Sequence, residues 1–146
     1  MTDAIAHRGP DDSGRYVVRL GSCPVGMGFR RLSIIDLSSA GHQPMLLEDD
    51  SMAITFNGEV YNFAEIREEL CGLGCSFRSG SDTEVILKAF KTWGTAAVTR
   101  FIGMFSIALL DKGHQKLYLL RDRVGVKPLF YYYRDGLFLF GSELKS

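Results

Sequence analysis

Apolar residues recur along this chain with two different periods, and the changes of period mark out its elements. Residues 15–20 and 25–29 are short apolar stretches around Gly21, Ser22, Cys23 and Pro24, which predicts a β-hairpin. Residues 52–56 predict a further strand. The spacing then lengthens: Phe63, Ile66, Leu70 and Leu73 fall at helical intervals, Asn62 and Glu65 stand in capping-box-like positions, and Gly72 and Gly74 supply the stop. Residues 80–84 open a second helix, with Ser81 and Glu84 at capping-box spacing and Ile86, Ala89, Phe90 and Trp93 on its apolar face. From Gly103 the pattern is strand throughout. Residues 104–110 turn into 117–121, and 129–133 turn through Arg134, Asp135 and Gly136 into 137–140. The Asp-Gly pair is a strong hairpin signal.

These last strands are almost continuously apolar instead of alternating, which predicts a sheet covered on both faces. Hairpin-linked antiparallel strands buried on both sides need a second layer on each side. Helices on one side and another sheet on the other predict a helix–sheet–sheet–helix sandwich. Residues 1–6 read as the last turns of a helix that begins upstream. Residues 7–14 form a polar loop, and 38–47 another that contains His42, which is expected at the surface. Asp122, flanked by Arg121 and Arg123, reads as a structural ion-pair cluster that supports neighbouring loops.

Composition narrows the function classes. The chain has 146 residues, enough for one domain with a real core, spanning 1–146. Its formal charge is +0, which argues against nucleic acid or an anionic membrane surface as a partner. No apolar run approaches the ~20 residues of a membrane span, so a cytoplasmic protein is expected. The 3 cysteines, Cys23, Cys71 and Cys75, have no metal-like spacing, so no metal site and reduced thiols are expected.

Candidate chemistry centres on the segment that follows strand 52–56. If the chain turns there, the Asn57 amide and the Gly58 N–H sit together at the mouth of a sheet. Two fixed donors at one point stabilise charge that develops on an attacked carbonyl. The same residues also suit a plain turn, with Asn and Gly chosen for backbone tolerance. Arg30 and Arg31 point to opposite faces if extended, so one faces solvent while the other can hold a carboxylate in a cleft. Asp82 opens the second helix, where a carboxylate is favoured by the helix dipole whether or not it binds a ligand.

Taken together, AHRGPDDSG (6–14), GFRRLSIIDLS (28–38), QPM (43–45), FNGEVYN (56–62), GSDTEVIL (80–87), GMFSIALLD (103–111), RDRVGVKPLFY (121–131) and GSELK (141–145) resemble the glutaminase domain of class II glutamine amidotransferases. Among these, the glutamine-hydrolysing asparagine synthetases are the nearest in motif. The resemblance implies an N-terminal-nucleophile hydrolase fold: an α+β, four-layer α/β/β/α sandwich of mostly antiparallel sheets. It implies that L-glutamine is the ligand and that its side-chain amide is hydrolysed to glutamate and ammonia. By motif, Arg31 would hold the α-carboxylate and Asp82 the α-ammonium group. Asn57 and Gly58 would form the oxyanion hole, and Glu59 would help position the glutamine. One cation, one anion and two neutral donors suit a zwitterionic amino acid that carries an amide.

The family's nucleophile, an N-terminal cysteine, has no counterpart in this sequence. The family's first strand and part of the following helix are also expected to be missing, a deficit on the order of 20 residues. Thr2 could act as an N-terminal threonine only if Met1 were removed, and it is expected one element away from the site. Cys23 and Cys71 are expected far from Asn57 and Gly58. The chain is therefore expected to be catalytically inactive on its own. ATP and magnesium, needed for amidation of aspartate, belong by resemblance to a synthetase domain outside these residues, and a homodimer is compatible with the family. The competing reading is a truncated non-catalytic amino-acid-binding or relic module. Acylase or protease chemistry is disfavoured by the pairing of Arg31 with Asp82.

Overall fold

The computed structural model describes residues 2–31 and 41–145. The sequence readings that fall on residues 32–40, including the apolar pair at 34 and 35, lie outside the described residues.

At the centre is a four-stranded antiparallel sheet in the order β3-β4-β5-β6: β3 (Met45–Leu46), β4 (Met52–Val60), β5 (Gly103–Asp111) and β6 (Lys116–Arg121). Strands β4 and β5 pair along their whole length, from Met52 against Asp111 to Val60 against Gly103. Alternate residues then face opposite layers. Ile54, Phe56, Phe105, Ile107 and Leu109 pack against Ile66 and Leu70 of α1 (Phe63–Gly72) and Val85, Ile86, Ala89 and Phe90 of α2 (Asp82–Trp93). Ala53, Ala108 and Leu110 face the other way, onto Met27, Tyr16 and Val18 of the hairpin β1 (Asp12–Leu20) and β2 (Cys23–Arg31), and onto Phe140. Phe140 belongs to a second hairpin, β7 (Phe130–Arg134) and β8 (Leu137–Gly141). A helical layer, the central sheet and a layer of two hairpins thus stack as three of the four layers of the sandwich reading; among the described residues no α-helix covers the outer face of the hairpins.

Several local expectations change once the partners are known. Residues 57–59 do not turn: they continue β4, opposite Ser106, Phe105 and Met104, and the turn comes at Tyr61 and Asn62. Pairing with β5 carries the strand through, and Gly58 adopts φ +151°, a conformation open to glycine. Asn62 does not cap α1; its Nδ2 donates to the Arg100 carbonyl at 3.0 Å and its Oδ1 accepts from Ile102 N–H at 2.9 Å. Ser81 does cap α2, accepting from Thr83 N–H at 3.1 Å. Glu84 instead reaches back to the N–H groups of Arg78 and Ser79.

Asp122 is not in an ion-pair cluster with its neighbours. Its carboxylate accepts from the N–H groups of Phe105, Val126 and Lys127 at 3.2, 2.8 and 3.0 Å, which hold it down at a pKa of about 2. Arg121 donates to the carbonyls of Gly125 and Lys127, and Arg123 to those of Thr99 and Phe101. The loops are supported, but through backbone groups. Residues 2–8 form a short 3-10 segment, Thr2–Arg8, laid against β2.

Candidate functional site

The site begins as an unfinished edge of β4. In an antiparallel strand, alternate N–H groups point to opposite edges. Tyr61 N–H donates to Ile102, so odd residues of β4 address β5, while Leu47 N–H donates to Met52, so even residues address β3. But β3 pairs only with Ile54 and Ala53. Beyond it, Phe56 N–H donates to the side chain of Gln43 at 2.7 Å and Val60 N–H to Asp82 Oδ2 at 3.2 Å. Gly58 lies between them on the same edge, so its N–H is aimed off the sheet. A Cβ at position 58 would run into the Met104 carbonyl oxygen, so glycine is required by φ and by space alike.

That edge borders a cavity of about 840 Å³, between the central sheet, the two hairpins and the start of α2. Arg31, Asn57, Gly58, Glu59 and Asp82 all line it, although they come from β2, β4 and α2. Arg31 is the last residue of β2, and Gly41 packs so closely beneath its guanidinium that a Cβ there would collide with Nη2. Arg30 also borders the cavity, contrary to the expected split between solvent and cleft. It is held by the Asp3 carboxylate at 2.7 Å and the Thr2 carbonyl at 3.2 Å, so it is already committed.

At the start of α2, burial pushes the Asp82 carboxyl above its ordinary range, against the N–H groups of Val60 and Thr83 that favour its ionised form. The nearby Glu59 charge raises it further. Two carboxylates that repel each other at a half-buried site are a receptor for a cation. The cavity lining therefore includes an arginine, two neighbouring carboxylates, an amide side chain and a strand-edge N–H with no partner among the described residues.

Other residues settle elsewhere or arrive unannounced. His42 is exposed and pairs with Asp12 at 2.7 Å, as a surface residue would. Neither Cys23, Cys71 nor Cys75 lines the cavity. Thr2 does line it, packed against Gly28, so it is closer to the site than its place in the sequence suggested. Lys127 is a further lining cation. Gln43 was legible only as part of a loop motif; nothing in a single buried glutamine announces which backbone group it will meet. Among the described residues, no group of acidic, histidine and cysteine side chains is arranged to hold a metal ion, and no helix is long and apolar enough to cross a membrane.

Comparison with known proteins gives a consistent pattern. The sequence profile of the glutamine amidotransferase domain matches residues 1–146. The chain is 40% identical to a putative glutamine-hydrolysing asparagine synthetase 2 of Methanocaldococcus jannaschii, over 100% of this chain and 30% of that protein. It is 45% identical to asparagine synthetase 2 of Bacillus subtilis, over 100% of this chain and 19% of that protein. The chain thus spans less than a third of the length of these relatives. In structure it resembles glutamine phosphoribosylpyrophosphate amidotransferase of B. subtilis, with a TM-score of 0.76 and 17% identity over 96% of this chain and 37% of that one. At that identity the likeness speaks for the fold.

Proposed function

The chain belongs to the glutamine amidotransferase domain family, and from that premise we propose that its cavity binds L-glutamine. The observation that carries the reading is the convergence of Arg31, Asp82, Glu59, Asn57 and Gly58 on one cavity. In this reading the Arg31 guanidinium takes the α-carboxylate as a planar, two-pronged donor. Asp82 takes the α-ammonium group, with Glu59 beside it. The extended side chain then lays its amide carbonyl near the Asn57 side chain and the Gly58 N–H. As a nucleophile adds, the carbonyl oxygen becomes negative, and those two fixed donors stabilise the charge without having to reorient. A ligand that lacked the α-ammonium group would leave the half-buried Asp82 carboxylate without a cation, which is how such a site discriminates.

Hydrolysis of the amide to glutamate and ammonia, and ATP-dependent amidation of aspartate, are proposed for a longer protein of the asparagine synthetase type. The relatives' own length supports this, since each carries far more chain than the amidotransferase domain. The positions of the three cysteines favour a second reading for these residues alone: an amino-acid-binding module without a thiol nucleophile at the cavity.

Calorimetric titration with L-glutamine tests the pocket. Arg31→Ala and Asp82→Ala are each expected to weaken binding by at least about tenfold, since each leaves a ligand charge without its partner. Equal affinity in all three proteins removes the pocket. Glutaminase turnover by the purified chain, abolished by Asn57→Ala, would overturn the non-catalytic reading and leave the pocket intact.

A further inference from the structure

The cavity-facing edge of β4 carries three N–H groups in alternation, on Phe56, Gly58 and Val60, and two of them are already engaged by side chains. Gln43, 5% exposed, accepts the first through Oε1 at 2.7 Å. Asp82 Oδ2 accepts the third at 3.2 Å. The remaining amide atom of Gln43, Nε2, donates to Thr83 Oγ1 at 3.3 Å. Thr83 is buried in the first turn of α2, directly after Asp82, with its own N–H capped by Ser81. Because Phe56 N–H can only donate, the orientation of the Gln43 carboxamide is fixed, with its oxygen to the strand and its nitrogen to the helix.

The carboxamide therefore ties the strand edge to the helix start with one acceptor and one donor. A glutamate at this position would present acceptors at both ends, and a leucine neither. The root of this strut is braced as well: a Cβ on Gly14 of β1 would run into the Gln43 carbonyl oxygen, so β1 lies directly against the main chain at residue 43. Sites of this kind work only when their groups are held to within about 0.5 Å. Arg31 reaches the cavity from a different layer, and both ends of the Gln43 carboxamide are bonded to protein, at Phe56 and Thr83.

We propose that Gln43 is a positioning residue. By tying Phe56 to Thr83 it sets the separation between the Gly58 N–H and the Asp82 carboxylate, and so governs how strongly the site prefers ligands that carry an α-ammonium group. The proposal rests on the glutamine-binding reading and adds to it a determinant of specificity that acts through Phe56 and Thr83.

Paired calorimetric titrations separate this role from general packing. The probes are L-glutamine and 4-carbamoylbutanoate, the same molecule without its amino group. Thr83→Val is nearly isosteric and cuts only the helix end of the strut. It is expected to lose roughly tenfold of the wild-type preference for L-glutamine while affinity for the analogue stays within about twofold. Gln43→Leu loses the same preference. Gln43→Glu retains more of it than Gln43→Leu, because its carboxylate accepts from both Phe56 N–H and the Thr83 hydroxyl. If Gln43→Leu does not fold, Thr83→Val carries the test. Parallel loss for both ligands, or an unchanged preference in Thr83→Val, overturns the proposal.

Failure of the wild type to bind either ligand overturns the glutamine reading instead. The strut is then judged by amide hydrogen exchange. Protection of Val60, bonded to Asp82, should fall in Thr83→Val relative to Ile54, which is paired with β3; equal protection in the two proteins rejects the strut.

Discussion

Strand β5, GMFSIALLD, and the β7–β8 hairpin, FYYYR with LFLFG, are both apolar almost without interruption. In β5 every residue from Phe105 to Asp111 is buried. In the hairpin, Tyr131 is 74% exposed and Tyr133 69%, and all five residues of β7 are exposed. The difference lies in neighbours. β5 is flanked by β4 and β6 and covered by α1 and α2 on one face and the β1–β2 hairpin on the other. β7 and β8 have only each other in their sheet, and among the described residues only Phe140 joins the core. Hydropathy reports what a strand can bury; topology decides what it does bury. The aromatic choice in the hairpin fits this, because tyrosine tolerates a wet face that leucine in β5 would not.

The largest effect should come from the buried partner of the comparison. Leu109→Ala is expected to cost about 2–5 kcal/mol in urea unfolding, since Leu109 is fully buried and its neighbours are fixed by two layers. A cost below 1 kcal/mol on that scale would mean the sheet is less tightly covered than the packing indicates.

Asp122 links the two regions, since it bonds Phe105 of β5 and the loop that leads to β7. Asp122→Ala strands three backbone donors and should lower Tm by roughly 5–10 °C. The sign of its pH dependence follows from its pKa of about 2, below the ordinary value of 3.8. Its contribution is fully present above the unfolded value and is lost as pH falls through the folded one. Acid unfolding between pH ~4 and ~2 should therefore be shallower in the variant; identical acid limbs would contradict the assignment.

Asp82 shows the opposite sign. Its folded pKa is raised, so its contribution to stability is present below the unfolded value of 3.8 and lost as pH rises through the folded one. At neutral pH the ionised group is a burden that the pocket retains. Asp82→Asn, which can still accept from Val60 N–H, should raise Tm at pH 7 by roughly 2 °C while weakening L-glutamine binding at least tenfold. The gain should vanish near pH 3 in parallel thermal scans, and a lower Tm at pH 7 would reject the charge argument.

The smallest effect is expected on the exposed side. Tyr131→Thr keeps β propensity and should change stability by no more than about 0.5 kcal/mol. A loss comparable to that of Leu109→Ala would show that the hairpin's face is covered after all.

Much of this molecule could be read without coordinates. The period change at Phe63, the Ser81 cap, the buried character of β5 and the Asp135-Gly136 hairpin are local signals, and local physics delivers them. At that turn both residues take positive φ, 50° and 79°, as a two-residue hairpin requires. The motif residues of the candidate site were also legible, as residue types matched to a ligand's charges. Three things were not. Asn57 and Gly58 lie in a strand because β5 pairs with them, and no property of their own sequence says so. The exposure of β7 and β8 follows from the layers that surround them. Gln43 acquires its role because the chain brings residue 43 between residue 56 and residue 83, a contact between segments far apart in sequence. The chain by itself determined the elements and the chemistry on offer, since periodicity and residue type act over a few neighbours. Only the tertiary structure decided which backbone N–H on that edge has no partner among the described residues, because strand pairing joins segments that lie far apart in the sequence.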